Sequence, residues 1–149
     1  MSTVSLAFTP DPAYVRTVRL VASAVARRAG VSDELLDEVR LAIGEACTRA
    51  VALHRRYGLG DLIDVSMTDS GRFTVRVTDR GPAESAEAPG EITIDIIAQV
   101  AAEAGRTPID EIELGVALLK GLVNDLTVAA APDGNGTQVC MSWPVGRRH

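Results

Sequence analysis

Aromatic residues are scarce in this chain and make up only 3% of its 149 residues. The core must therefore be built from Leu, Val, Ile and Ala, and hydrophobic residues do reach 46% of the sequence. The scarcity also argues against single-stranded nucleic-acid binding, which depends on aromatic side chains that stack on bases. A net charge of -5 argues against a surface that coats DNA or an anionic membrane. We therefore expect a protein partner or a small ligand, with no direct nucleic-acid or membrane contact.

Cysteine and histidine are equally sparse, with two of each. Cys47 falls in a helical pattern and Cys140 in a strand pattern, and they form no C-x-x-C pair, so we expect buried free thiols. His54 and His149 are isolated from each other and from the cysteines. Metal binding through protein ligands alone is therefore not expected.

Long apolar runs are absent, and no stretch approaches the roughly 18 residues that a membrane-spanning helix needs. The first residues also lack the basic segment, apolar segment and cleavage site of a signal peptide. We expect a cytoplasmic protein in a reducing compartment. The length predicts a single domain over residues 1–149.

Alternation and helical spacing predict the elements of the first half of the chain. Residues 3–8 alternate as in a strand. A helix is expected to open at Pro10, Asp11 and Pro12 and to run to Gly30, whose glycine suits a C-terminal cap.

Ser32 is a suitable N-cap for a second, long helix. Residues 62–69 and 72–79, separated by Ser70-Gly71, give the clearest hairpin pattern in the sequence. The apolar stripe of the second helix recurs at helical spacing and consists of Leu36, Val39, Ile43, Cys47, Ala50 and His54.

The second half of the chain begins with a polar segment at residues 80–91, which indicates a loop or a connector. Residues 92–104 are apolar enough for a helix or a strand–helix junction, and the pattern leaves both open. A helix is predicted at residues 109–125, followed by strands at residues 126–131 and 137–143.

This order of elements excludes a parallel doubly wound sheet, which would need strands and helices in alternation. We predict an α/β (α+β) two-layer sandwich with a mixed, mostly antiparallel sheet and helices on one face.

The segment LAIGEACTRAV, residues 41–51, carries the first candidate site. Glu45 falls roughly opposite the apolar stripe of its helix, and Arg49 follows it by four residues. That order favours a helix ion pair, although such a pair stabilises by only about 0.2–0.5 kcal/mol. The residues alone favour a surface ion pair over a catalytic site.

Three further positions are weak candidates when each is taken alone. Asp79 ends a strand and could accept a hydrogen bond from a ligand amine, but Asp followed by Gly81 is equally a turn. Gly115 could let a phosphate approach the N-terminus of a helix, or it could simply accommodate packing. Thr137 starts a strand after a turn that needs no function to explain it.

In their order, these segments resemble the boxes of the anti-sigma regulatory factors, the serine-protein-kinase branch of the ATP-binding GHKL (Bergerat-fold) superfamily. AIGEACTRAV is similar to the first box, VTDRGPA to the second, ELGVALLKGLVNDLTV to the third and GNGTQVCMSW to the terminal threonine strand. The resemblance covers roughly residues 4–143 and implies a Bergerat-type ATP-binding fold.

The resemblance also implies roles for individual residues. Glu45 corresponds to the base that accepts the proton of a substrate serine. Asp79 corresponds to the aspartate that hydrogen-bonds the adenine amine, and Gly81 to the first glycine of that box. Gly115 matches a glycine of the third box, and Thr137 the threonine near adenine.

Several positions depart from the family pattern. Arg49 stands where the family has an asparagine that ligates Mg²⁺, and a guanidinium offers no lone pair to a cation. Ala83 replaces the second glycine of its box, and Glu113 adds negative charge in the third. ATP or ADP binding is therefore possible and Mg²⁺ binding doubtful. Arg49 is left with three alternatives, which are to contact phosphate, to pair with Glu45, or to do neither.

The resemblance implies an anti-sigma factor that sequesters a sigma factor and is countered by an anti-anti-sigma factor (STAS domain) in a bacterial stress response. Weakened or absent Mg-ATP-dependent kinase activity follows from Arg49. The alternative is an active serine/threonine-protein kinase that phosphorylates the antagonist. A sensor-kinase ATPase fragment and a scaffold without nucleotide also stay open. The family further implies a homodimer.

Overall fold

The structure, a computed structural model, describes residues 2–81, 119, 121, 123, 125–132 and 134–146. Five strands and two long helices form two layers. The strands are β1 (Ser2–Phe8), β2 (Ile63–Asp69), β3 (Arg72–Asp79), β4 (Asp125–Ala130) and β5 (Thr137–Pro144), and the helices are α1 (Val15–Ala29) and α2 (Asp33–Arg56).

The five strands form one sheet in the order β1-β2-β3-β5-β4. Every pairing among these described strands is antiparallel, so the sheet is simpler than the mixed one that the sequence predicted. The predicted hairpin is confirmed as β2 and β3. In the β3–β5 register Asp79 lies directly opposite Thr137, which brings two predicted site residues together.

Both helices pack on one face of the sheet, as the two-layer prediction required. The central strands β3 and β5 alternate strictly between buried and partly exposed side chains, which is the pattern of a sheet covered on one side. Phe73 and Trp143 lie on the covered face with ring centroids 6.1 Å apart. The indole N–H of Trp143 donates to a carboxylate oxygen of Glu38 at 2.6 Å and so ties β5 to α2.

The helix ends follow local rules with two differences from the prediction. The segment Pro12–Tyr14 is a 3₁₀ turn capped by Asp11, and the α-helix begins only at Val15. Gly30 ends α1 with a φ of 100°, a left-handed conformation that glycine adopts without a steric penalty. Ser32 is the N-cap of α2, but its side chain makes no capping hydrogen bond.

The second half of the chain is described only in part. β4 begins at Asp125, so this residue belongs to a strand and not to the predicted helix. Leu119 and Gly121 are helical, as predicted. The predictions for residues 82–91 and 92–104, and most of that for 109–125, lie outside the described residues.

Both cysteines are free thiols, but only one is buried as expected. Burial raises the pKa of the Cys47 thiol to about 12, so the thiolate is not populated near neutral pH. Cys140 is only half-buried because it lies on the uncovered face of the sheet, opposite Arg76. No helix among the described residues is both long and apolar enough to cross a membrane.

Two glycines of the β4–β5 turn provide a matched test of this packing. Gly134 and Gly136 both have positive φ, but a Cβ on Gly136 would lie 1.9 Å from the carbonyl oxygen of Asp79, whereas one on Gly134 would meet nothing within 4 Å. We expect Gly134→Ala to cost about 1–2 kcal/mol through φ alone, and Gly136→Ala about 3 kcal/mol or more. Urea unfolding followed by circular dichroism measures both values. Equal losses would contradict the close approach of the turn to Asp79.

Candidate functional site

The site is organised around the carboxylate of Asp79, which lies at the end of β3 and is 1% exposed. Three donors of this chain converge on it. Nη1 of Arg49 donates to Oδ2 at 2.9 Å, and the backbone N–H groups of Gly81 and Thr137 donate to Oδ1 at 2.9 and 3.3 Å. Both carboxylate oxygens are therefore engaged by the protein itself.

Arg49 reaches Asp79 from the buried face of α2. The two side chains are each 1% exposed, so this is an ion pair inside the protein and not at its surface. Nε and Nη2 of Arg49 are also buried, and neither has a hydrogen-bond partner in the described part of the chain. A buried guanidinium with a single partner depends strongly on that partner, because an uncompensated charge inside a protein is very costly.

The Arg49–Asp79 pair is found instead of the Glu45–Arg49 pair that the i, i+4 spacing favoured. Arg49 does not bind Glu45, and no hydrogen bond or ion pair of Glu45 occurs among the described residues. Glu45 is half-buried and lies one helical turn before Arg49. The candidate base is therefore separate from the ion pair, and the prediction of a surface Glu45–Arg49 pair is wrong.

Gly81 is held against α2 through Leu53. A Cβ on Gly81 would lie 2.1 Å from Cδ2 and 2.5 Å from Cγ of Leu53, so only glycine allows the chain to pass this close to the helix. In the described residues this glycine serves the packing of the strand end.

His54 is a site residue whose contacts the sequence did not reveal. Its Nε2 accepts the backbone N–H of Arg80 at 2.8 Å, and its Nδ1 lies 3.1 Å from the carbonyl oxygen of Asp61. The two contacts require the neutral tautomer with the proton on Nδ1. Periodicity correctly placed His54 in the buried stripe, but no local pattern points to a backbone partner 26 residues away.

Three residues of α2 thus hold three consecutive residues at the end of β3. Arg49 binds Asp79, His54 binds the backbone of Arg80, and Leu53 packs on Gly81. Thr137, fully buried, joins this group from β5. The remaining predicted positions, namely Gly115, Glu113 and Ala83, lie outside the described residues.

The described residues do not fit an Mg-ATP site of the kind that the resemblance implies. The carboxylate expected to accept the adenine amine is 1% exposed and already accepts Arg49 and two backbone N–H groups. A guanidinium also stands in place of the metal-ligating amide. No cluster of three or more His, Cys, Asp or Glu that could hold a metal is found in the described part of the chain.

Removing either member of the buried pair tests its contribution. We expect Arg49→Met and Asp79→Asn each to lower the free energy of unfolding by about 3–5 kcal/mol, since each leaves a buried charge without its counter-ion. Arg72→Met is the matched control, because Arg72 pairs with Asp125 at the surface, where the side chains are 44% and 59% exposed. That variant should cost less than about 1 kcal/mol. Equal losses of unfolding free energy in urea would contradict a larger contribution of the buried Arg49–Asp79 pair.

The pH dependence of stability tests the state of His54. Burial lowers the pKa of His54 from its usual 6.5, against the opposing effect of the Asp79 and Asp61 charges. The unfolded chain therefore binds a proton that the folded chain does not, and stability should fall as the pH drops below about 6.5.

The comparison for this prediction is His54→Gln, whose amide oxygen can still accept the Arg80 N–H but does not titrate. Unfolding free energies measured between pH 7.5 and 5.5 should fall for the parent chain and change less for the variant. Parallel curves would contradict a neutral, buried His54.

Comparison with known proteins agrees with the fold. No curated protein sequence matches this chain. A chain in the crystal structure of the SiaB–SiaC complex from Pseudomonas aeruginosa is similar, with a TM-score of 0.60, 12% sequence identity, and coverage of 93% of this chain and 89% of that one. At this identity the likeness shows the fold alone. The family model described as Histidine kinase-like ATPase domain matches residues 8–143. This match spans most of the sequence, and the chain belongs to the histidine kinase-like ATPase (GHKL) family.

Proposed function

We propose that this protein is an anti-sigma factor that sequesters a sigma factor, is countered by an anti-anti-sigma factor (STAS domain), and has lost ATP-dependent kinase activity. Family membership and the order of the four boxes support the regulatory role. The loss of kinase activity is supported by one observation, the buried Arg49–Asp79 pair.

That pair opposes nucleotide binding directly. Adenine would need a free acceptor on Asp79, and the side chain is 1% exposed with both oxygens engaged. Displacing Arg49 would leave a buried cation without its partner, at a cost of about 3–5 kcal/mol. A cost of this size weakens binding by roughly two to three and a half powers of ten.

Arg49 also opposes phosphoryl transfer through the metal. Mg²⁺ takes oxygen ligands in near-octahedral geometry, and phosphoryl transfer relies on it for positioning and for charge neutralisation. A fixed positive charge at residue 49 supplies no ligand and repels the ion. The same residue thus acts against the adenine and against the metal.

Partner binding does not need nucleotide in this arrangement. The contacts of Arg49 and His54 fix the end of β3 against α2, so the two layers are joined by the protein alone. The similar chain belongs to a two-protein complex, SiaB–SiaC, which supports assembly with a protein partner by analogy only. A homodimer, as the family implies, is also part of the proposal and is measured by light scattering coupled to size-exclusion chromatography.

A second candidate is the active serine kinase. It is favoured by Glu45, whose carboxylate is half-buried and has no ion pair with Arg49 or with any other described residue. A free carboxylate at the position of the family base could still accept a proton from a serine hydroxyl.

Calorimetric titration with ATP, with and without Mg²⁺, separates the two candidates. We expect no binding by the parent chain and measurable binding by Arg49→Asn, which frees Asp79 and restores an amide ligand. Arg72→Asn is the control for a lost surface arginine and should resemble the parent. Binding by the parent chain that Asp79→Asn abolishes would contradict the closed site.

The regulatory role is tested by affinity purification from the native cell, with the proteins that co-purify identified. Recovery of a sigma factor and of a STAS-domain antagonist is the expected result, and recovery of neither would contradict the proposal. Incubating the recovered antagonist with ATP and Mg²⁺ completes the test. Phosphoserine that disappears with Glu45→Ala would establish the second candidate instead.

A further inference from the structure

Helix α1 has an unusual charge for this protein. It carries four arginines, Arg16, Arg19, Arg27 and Arg28, and no acidic residue, although the chain as a whole has 20 acidic and 15 basic residues. None of the four makes a hydrogen bond or an ion pair with a residue that the structure describes. By contrast, Arg40 on α2 pairs with Asp37 and donates to Ser23.

Arg16, Arg27 and Arg28 lie on the side of α1 that faces away from the sheet, whereas Arg19 lies on the flank beside α2. The buried positions of the helix are Val15, Val18, Ala22, Ala26 and Ala29. At about 100° per residue, Arg16, Leu20 and Arg27 fall within about 40° of one another on the opposite side. The stripe that they form is roughly 16 Å long at 1.5 Å per residue.

Leu20 lies in the middle of this stripe and is 62% exposed, more than any other large hydrophobic residue in the described part of the chain. Arg19 is held beside it, because its aliphatic carbons pack over Gly44 of α2, where a Cβ would lie 3.0 Å from Cδ of Arg19. An exposed apolar side chain surrounded by arginines is typical of a protein-binding surface. Such surfaces are enriched in arginine relative to the rest of the protein surface, whereas Lys, Glu and Asp are depleted there.

We propose that this arginine face, defined as Arg16, Arg19, Leu20, Arg27 and Arg28, docks an acidic amphipathic helix of the protein partner. The proposal rests on the proposed function, which requires such a partner. An apolar side chain of the partner covers Leu20. Carboxylates on either side of it pair with the guanidinium groups, which can each bind a carboxylate through two parallel hydrogen bonds.

The surroundings of the arginine face favour a protein helix over DNA or a membrane. The neighbouring helix α2 exposes Asp37, whose partner Arg40 donates to Ser23 of α1, so negative charge borders the stripe. A broad phosphate surface would meet this carboxylate as well as the arginines, whereas a single helix laid along α1 need contact only the arginines. An exposed leucine at the centre also has no counterpart in a phosphate backbone.

Charge reversal tests the proposal with a defined probe. The probe is a fluorescent, stapled helical peptide with a central leucine flanked by glutamates on one face, compared with a peptide of the same composition whose glutamates are scattered. We expect the patterned peptide to bind the full chain, and Arg16→Glu/Arg27→Glu to weaken it at least roughly tenfold in fluorescence anisotropy. Leu20→Ser should weaken it without changing the salt dependence.

The matched control is Arg55→Glu/Arg76→Glu, which changes the net charge equally and lies outside α1. Equal losses in the two double variants, or equal binding of the two peptides, would overturn the proposal because only net charge would then matter. Tighter binding of duplex DNA or of phosphatidylglycerol vesicles through the same arginines would also overturn it.

The natural partner recovered by affinity purification provides the second arm. We expect its affinity to fall at least roughly tenfold with Arg16→Glu/Arg27→Glu, and a photo-crosslinker at position 20 to join an acidic segment of it. Unchanged affinity would overturn the docking surface while the proposed function stands. If no partner is recovered, the proposed function fails, and the peptide titration still decides whether the arginine face recognises acidic helices.

Discussion

The buried ion pair between Arg49 and Asp79 is the contact on which the arrangement of the site depends. It joins the middle of α2 to the end of β3, with both side chains 1% exposed. Neither charge is tolerable there alone, because burying an unpaired ion is far more costly than losing an ordinary contact. The positions of Gly81 and Thr137 follow from it, since their backbone N–H groups complete the hydrogen bonding of the same carboxylate.

This contact changes the meaning of the family resemblance. By the resemblance Asp79 corresponds to the family's adenine acceptor, but its carboxylate accepts hydrogen bonds from Arg49 and from two backbone N–H groups of this chain. By the same resemblance Arg49 corresponds to the metal-ligating asparagine, and its guanidinium donates to the Asp79 carboxylate, so a single side chain bears on both positions. A residue in the expected position therefore does not establish that the expected ligand binds. Other side chains and backbone groups that contact the residue determine whether it is available to a ligand.

Periodicity predicted the elements well, because each helix and strand buries one face and repeats it along the chain. The hairpin and the stripe of α2 follow from local pattern, whereas the pairing of β3 with β5, which sets Asp79 opposite Thr137, was not predicted. The partner of Arg49 could not be predicted in this way. Sequence spacing offers Glu45, worth about 0.2–0.5 kcal/mol, whereas the actual partner lies 30 residues away and is decided by how α2 crosses β3. The contact of His54 could not be predicted either, because its partner is the backbone N–H of a residue 26 positions away in the sequence.

The buried Arg49 and the exposed arginines of α1 differ in how their positive charge is compensated. Arg49 is buried and has its own carboxylate, so it can contribute to the fold but offers little to a partner. The arginines of α1 remain exposed, although α2 beside them carries Asp37 and Glu38, which instead contact Arg40 and Trp143. The guanidinium groups around the exposed Leu20 have no carboxylate partner in the described part of the chain, and they gain ion pairs only when another molecule brings carboxylates.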